Sequence, residues 1–387
     1  MDFNYTEEQL ALQDTLRRYL AKDYGFEQRR ALAKSAEGFS RNHWRQFADL
    51  GILALPFPEA FGGITVDGGN AVDNMLVMEM FGRGLVLEPY LATVILCGGL
   101  IRDAGSQKQK EEILPAIAGG ELLMALAHYE AQGRYQLSHV ASTAKPDGNG
   151  YTLNGAKAVV LGGGAADKLI VSARSGGGVS DPNGISLFIV ARDAPGVTLR
   201  SYATQDGARA AEIKLAGVRV GKDALIGAQD AALPIIERAV DYAIAALCAE
   251  AVGTMAALNE ATLEYIKTRK QFGQPIGRFQ ALQHRMVDML MATEQARSMT
   301  ILAAVRADSV GSTDDANERR RAISAAKAYV GQSARSVGQS AVQLLGGMGV
   351  VDELNVSHYF KRLTMINATF GDADYHLGCF SDSLLAA

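Results

Sequence analysis

The spacing of hydrophobic residues changes character twice along this chain, at about Leu122 and again after Gly227, and few folds accommodate that order. Before Leu122 the period is helical. Thr6-Glu7-Glu8-Gln9 has the form of a capping box, and Leu12, Leu16, Tyr19 and Leu20 then recur on one helix face. Further helices fit Asn42–Leu50, Asp73–Gly82, Pro89–Asp103 and Gln107–Ala118, with a turn at Pro56-Phe57-Pro58 and a loop at Phe61-Gly62-Gly63. Between the two changes lie short β-rich runs: Ala141–Ala144, Tyr151–Leu153, Leu169–Ala173, Ser186–Val190, Val197–Leu199 and Ala211–Leu215. Asp147-Gly148-Asn149-Gly150 and Asn154-Gly155 supply the turn signals. After Gly227 long helices return, at Ala231–Lys267, Phe279–Asp308 and from an Asp314 N-cap to Leu345. Thr268–Gly277 is a loop and Ser309–Thr313 a turn, and Gly346-Gly347-Met348-Gly349 breaks the last long helix. Shorter helices follow at Glu353–Ala368 and Asp372–Leu385. The pattern predicts an α+β chain: an N-terminal helical domain (1–121), a middle antiparallel β-barrel or sandwich (122–226) and a C-terminal helical bundle (227–387).

Composition narrows the function classes. Of 387 residues, 48% are hydrophobic and 21% charged. That is enough for a large core and incompatible with a disordered chain. Thirty-eight Lys and Arg against 42 Asp and Glu leave a net charge of −4. No footprint for nucleic acid or an anionic membrane is therefore expected. The start, Met1-Asp2-Phe3-Asn4-Tyr5, lacks the basic-then-apolar pattern of a signal peptide. The apolar window Tyr90–Ile101 is too short to span a bilayer and reads as a core helix. Cys97, Cys248 and Cys379 are odd in number and widely spaced, which suits buried thiols in a reducing cytoplasm.

Several familiar chemistries fail on spacing. Gly162-Gly163-Gly164 is not GxGxxG and opens no helix, so it reads as a loop. Gly217-Val218-Arg219-Val220-Gly221-Lys222-Asp223 lacks the pattern of a P-loop, no GxSxG elbow occurs, and the six histidines have no zinc-ligand spacing. Asp372, Asp374 and His376 read as a solvated helix start, and Arg319-Arg320-Arg321 as an exposed bundle face.

Two segments stand out. In Thr268-Arg269-Lys270-Gln271-Phe272-Gly273-Gln274-Pro275-Ile276-Gly277-Arg278-Phe279-Gln280-Ala281-Leu282-Gln283, Arg269 stands where a helix ends, placed to grip a pyrophosphate. In Gln343-Leu344-Leu345-Gly346-Gly347-Met348-Gly349, paired glycines allow a ligand close to the backbone. Together with Tyr151-Thr152-Leu153-Asn154-Gly155-Ala156-Lys157 and the helix–β–helix order, these segments resemble the acyl-CoA dehydrogenase family over the whole chain, most closely its pimeloyl-CoA dehydrogenase small-subunit type. The resemblance implies FAD, an acyl-CoA substrate, α,β-desaturation with hydride transfer to the flavin, and electron-transfer flavoprotein as acceptor. It also implies a flavin between subunits, its ring in one barrel and its adenine diphosphate end on the neighbour's bundle. Arg269, Phe272 and Gln280 match the neighbour-side contacts, and Gln343, Gly346 and Gly347 a second such patch.

The family pattern is broken on the barrel side. His128-Tyr129-Glu130-Ala131-Gln132-Gly133-Arg134-Tyr135 keeps only a Glu and a Gly of the flavin signature, and Val159-Val160-Leu161 replaces Trp-Ile-Thr. Leucine offers no donor to a ring nitrogen. Phe370 and Ala243 fall on the family's two base positions, and neither accepts a proton. Asp372 would point about 200° away from Phe370 on a continuous helix unless Gly371 kinks it. The expectation is a non-catalytic half of a heterotetramer with a catalytic homologue. A self-sufficient homotetramer with Asp372 as relocated base, a flavin-free scaffold, and a related flavoprotein chemistry on the same fold stay open. Small Ala243, Ala245 and Ala246 suit a bulky acyl group or close helix packing equally.

Overall fold

The computed structural model describes residues 5–309 and 313–385, so Met1-Asp2-Phe3-Asn4 and most of the Ser309–Thr313 turn lie outside the described residues. Six helices come first: α1 (Glu7–Asp23), α2 (Phe26–Lys34), α3 (Arg41–Asp49), α4 (Ala71–Gly84), α5 (Gly99–Ala104) and α6 (Gln107–Ala118). The Thr6 capping box forms as expected, with Gln9 N donating to Thr6 Oγ1 and Thr6 N to Gln9 Oε1. Pro89–Asp103 is not one α-helix. Leu91–Gly98 is wound as a π-helix that passes into α5, its residues from Ala92 onward all buried.

Eight strands follow: β1 (Met124–Ala127), β2 (Thr143–Asp147), β3 (Gly150–Leu161), β4 (Lys168–Arg174), β5 (Ile185–Ala191), β6 (Val197–Ala203), β7 (Arg209–Gly221) and β8 (Leu225–Ile226). They form one open sheet in the order β6-β7-β3-β2-β4-β5-β8, with β1 added beside β4, so the barrel alternative is corrected. The purely antiparallel expectation is corrected too, because β1 and β2 both pair with β4 in parallel. β1 carries no strand signal in the sequence because all four of its residues are buried, and a strand covered on both faces shows no alternation.

The last helices are α7 (Leu233–Thr268), α8 (Gln280–Ala307), α9 (Thr313–Leu345), α10 (Asn355–Ala368) and α11 (Ala373–Leu385), and a small hairpin of β9 (Lys270–Gln271) and β10 (Gln274–Pro275) joins α7 to α8. Asp314 is not the N-cap of α9. The helix starts at Thr313, and Asp314 sits in its first turn, where a carboxylate meets the positive end of the helix dipole. α7 is apolar enough to cross a membrane by composition, with a mean hydropathy of 1.4, yet 94% of that window is buried within the protein. Arg319 is buried rather than on an exposed face, and it donates to Ser309 O. Cys97 and Cys248 are buried, whereas Cys379 is half-exposed.

The chain divides into two compact units. One comprises Met1–Ala31, Asn70–Val86 and Ile244–Ala387; the other comprises Leu32–Gly69 and Leu87–Ala243. In the first, α4 and α7 cross at two glycines. A Cβ on Gly82 would overlap Glu250 O, and one on Gly253 would overlap Glu79 O, so the backbones touch and only glycine fits at either position. The core of the second unit is the inner face of the sheet, built on Leu153, Leu169, Phe188, Ile213 and Val218.

Candidate functional site

At the end of α7 the chain turns back through the β9–β10 hairpin. Ile276 N donates to Arg269 O at 2.8 Å and closes the loop, leaving Arg269 itself exposed. The turn residues Phe272 and Gly273 have φ of 53° and 79°. This is the double left-handed geometry of a two-residue hairpin. A phenylalanine resists that conformation. This one is also 89% exposed. Its only ring neighbour among the described residues is Phe279, with centroids 6.1 Å apart. α8 then begins behind Phe279 with no side-chain cap, so its first N–H groups and the positive end of its dipole are open to an anion. Gln280 is the exposed first residue of that helix.

The second motif arrives at the same end of the bundle. Tyr265 Oη donates to Leu345 O at 3.5 Å, tying the last turns of α7 to the end of α9, where Gln343, Gly346 and Gly347 are all exposed. Gly346 has φ of 63°, and a Cβ on Gly346 or Gly347 would meet nothing within 4 Å. The packing of this chain therefore does not itself demand glycine at 347. A cation, an uncapped helix start, a held-out aromatic ring and bare backbone suit the adenine diphosphate end of FAD.

The sheet side is different. Glu130 accepts from Ala141 N, Ser142 N, Ser142 Oγ and Lys157 Nζ at 2.7–3.0 Å. Three of those bonds converge on Oε1 and one reaches Oε2, so both oxygens are engaged by neighbouring parts of the sheet domain. Burial works to raise its pKa, but the adjoining Lys157 charge and the donated bonds prevail and hold it below the usual carboxylate range. Lys157 Nζ also donates to His128 O and Ser172 Oγ, and burial draws its pKa down. His128 rests against Ser172 Oγ at 2.9 Å, and burial, helped by Lys157, brings it to about 3, so the ring is neutral. This family-like Glu thus serves the sheet. A bulge interrupts β3 between Lys157 and Val160. It leaves Val159 half-exposed at φ of 52°, while Val160 is buried in the core. No donor side chain stands at 159–161, so this segment does not fit a flavin ring as the bundle end fits the diphosphate.

The two base positions are apolar and buried: Ala243 lies within α7, and Phe370 is 8% exposed. The backbone around Phe370 is not a continuous helix. α10 stops at Ala368, Phe370 is left-handed (φ 58°) and Gly371 more so (φ 111°). The expected continuous-helix phase of Asp372 is therefore corrected, but the carboxylate acts as a cap. Asp372 Oδ1 accepts from Tyr375 N at 2.9 Å at the start of α11. His376 is corrected as well, being buried rather than solvated. Its Nε2 donates to Phe370 O at 3.0 Å, and burial brings the ring to about 4. Sequence reasoning missed Lys327, whose buried ammonium donates to the carbonyls of Ile366, Asn367 and Gly371 at 2.7–2.8 Å. Burial draws this lysine down to about 8. A lone lysine within the Ala-rich run Ala325-Ala326-Lys327-Ala328 was the available signal.

Models of the acyl-CoA dehydrogenase N-terminal, middle and C-terminal domains match residues 6–121, 125–218 and 233–385. The chain belongs to the acyl-CoA dehydrogenase family, and with it to the FAD-dependent oxidoreductases of that type. Acyl-CoA dehydrogenase FadE12 of Mycobacterium tuberculosis is 31% identical over 92% of this chain and 90% of its own. The ChsE4–ChsE5 complex of the same organism contains a chain 26% identical, with a TM-score of 0.87 and full coverage of both chains. A chain of a Tcur3481–Tcur3483 steroid ACAD variant is 29% identical at a TM-score of 0.86, over 98% of both.

Proposed function

We propose that this chain is the non-catalytic half of a heterotetrameric, FAD-dependent acyl-CoA dehydrogenase, with two copies paired to two of a catalytic homologue. The observation that carries the reading is the contrast between the two halves of its would-be flavin site. The bundle end keeps Arg269, Phe272, Gln280, Gln343, Gly346 and Gly347 as an anion- and adenine-compatible surface, while the sheet side has no donor at 159–161 and both base positions are apolar.

In this reading Arg269 and the open start of α8 grip the diphosphate of an FAD whose ring is seated in the partner. The flavin supplies hydride acceptance when bound there. The partner supplies the base that removes the α-proton, and its hydrogen bonds to the thioester carbonyl stabilise the developing enolate. Similarity to chains of the ChsE4–ChsE5 complex and of the Tcur3481–Tcur3483 steroid ACAD supports this division. Reoxidation by electron-transfer flavoprotein and a cytoplasmic location belong to the same proposal. The homotetramer with Asp372 as base is disfavoured because that carboxylate caps α11. A flavin-free scaffold is disfavoured because Phe272 is held out in a strained turn that the chain's own packing does not use.

The test is to purify the chain alone and with a homologous acyl-CoA dehydrogenase subunit, then measure flavin content and dye-linked acyl-CoA oxidation. The expected result is little flavin and no turnover alone, with both restored in the complex and lost again on Arg269→Ala. Turnover by the isolated chain overturns the reading.

A further inference from the structure

A cavity of about 310 Å³ opens among α1, α2, α4 and α10, all within the first compact unit. Buried Leu20, Met80 and Leu85 line it, together with the rings of Tyr24, Phe26 and Tyr359. Its two charged lining residues are Arg17 and Arg83, and no carboxylate lines it. The neighbourhood carries the same sign. From Arg17 to Arg30 the chain has five Lys and Arg against two Asp and Glu, in a protein of net charge −4. Neither arginine is fully engaged among the described residues. Arg17 reaches Asp14 at 3.8 Å, a carboxylate that Arg18 holds at 2.9 Å. Arg83 binds Glu260 through Nη2 alone, which leaves its Nε and Nη1. The negative end of α4 would repel an anion, but its carbonyls are taken. Arg83 O accepts from Tyr359 Oη at 2.8 Å and Leu85 O from Arg29 Nε at 3.3 Å.

Gly25 lines the same cavity, just before the first residue of α2. Its φ is not left-handed, and a Cβ there would meet nothing within 4 Å. Neither the backbone nor the packing of this chain therefore requires glycine at 25, and what the missing side chain leaves is open space. It also leaves α2 without a side-chain cap from that position, so the positive end of the helix meets the cavity. We propose that the cavity binds a small aromatic carboxylate, its ring among Tyr24, Phe26 and Tyr359 and its carboxylate on Arg17 and Arg83. The guanidinium fork matches a carboxylate, and the three rings favour an aromatic body over a chain. The volume is at the small end for small-molecule sites, which run from about 300 to 1,000 Å³, and suits one ring with a short arm. None of the residues assigned to the flavin lines this cavity, and the proposal does not rest on that assignment.

The test is calorimetric titration of the full chain with 3-phenylpropanoate. The expected result is one-to-one binding with a Kd below about 1 mM. Arg17→Gln weakens it about tenfold, the worth of one charge-assisted hydrogen bond. Gly25→Leu fills the cavity and abolishes binding with the melting temperature kept; should that variant not fold, Arg17→Gln, at an exposed position, decides alone. 3-Phenylpropylamine, hexanoate and inorganic phosphate each bind at least tenfold more weakly than 3-phenylpropanoate. Absence of binding, or binding unmoved by these variants, overturns the proposal. So does equal binding of the amine, of hexanoate or of phosphate, the last marking an adventitious ion only.

Discussion

Lys327 on α9 donates to the carbonyl of Gly371 at 2.8 Å, and so ties the middle of a bundle helix to the turn that carries the family's base position. Its two other bonds, to Ile366 O and Asn367 O, close the last turn of α10. Unpaired carbonyls and the negative end of the helix dipole favour a cation there. His376 holds Phe370 O from the other side. The left-handed pair Phe370–Gly371 is thus fixed by two buried side chains from two different helices.

Replacing Lys327 with Met keeps the length and apolar stem but takes the donor from the carbonyls of Asn367 and Gly371, while Ile366 O keeps a bond from Thr369 N at 3.3 Å. Each buried unpaired acceptor costs about 1–3 kcal/mol, partly offset here by removal of a buried charge, so a net loss of roughly 2–4 kcal/mol is expected. Urea denaturation against wild type measures it. A loss below about 0.5 kcal/mol, the usual range for an exposed site, would show that the ammonium does not cap α10.

Acid should destabilise the protein through its buried histidines. Burial brings His376 to about 4 and His128 to about 3 in the fold, from an ordinary 6.5, and lowers His358 as well. Between the folded and ordinary values the unfolded chain binds more protons, so stability rises with pH in that window. It is fully present above about pH 6.5 and is lost as pH falls towards 4, with His376 alone contributing roughly 3 kcal/mol. Below the ordinary Glu pKa, protonation of Glu130 adds to the loss. Melting temperatures from about pH 7.5 to 4 check this, and His376→Gln should flatten the curve.

Phe272→Gly separates stability from cofactor grip. Glycine relieves the left-handed strain at this turn but adds freedom to the unfolded chain, and the two effects nearly cancel, to within about 0.5 kcal/mol. Removing the exposed ring should nevertheless lower flavin retention in the assembled complex about tenfold, the equivalent of one aromatic contact. Equal flavin content in both proteins would leave the ring without its assigned role.

At Asp372 two variants distinguish cap from base. Asn can still accept from Tyr375 N, whereas Ala cannot and should cost about 1 kcal/mol of stability. Turnover of the assembled complex should be indifferent to either change. A fall of a hundredfold or more in kcat for Asp372→Asn in protein purified without a partner would instead identify a relocated base.

The sequence carried the element order well because helix and strand periods are local. Gln107–Ala118 has the same bounds in the fold as in the reading, and both helix breaks, at Thr268 and at Gly346, fall where glycine and proline put them. Signals failed where burial is two-sided or where partners are remote. Met124–Ala127 has no alternation because both faces are covered, and the short helix Phe26–Lys34 has no clear periodic signal of its own. His376 looks solvated beside Asp372 and Asp374 because nothing local announces that Phe370 O and Ser324 lie against its ring.

What the amino-acid order determined by itself was the alternation of helix and sheet, the loop around Arg269 between two long helices and the absence of a carboxylate at 370 and 243, since each depends on residue identity or near neighbours. Only the tertiary structure decided the rest. Tyr265 joined the two C-terminal motifs at one end of the bundle, Lys157 and Ser142 claimed Glu130 for the sheet, and Lys327 and His376 fixed the Phe370 turn. Those pairings connect residues up to 80 positions apart. Their energies come from burial that no local window of sequence contains.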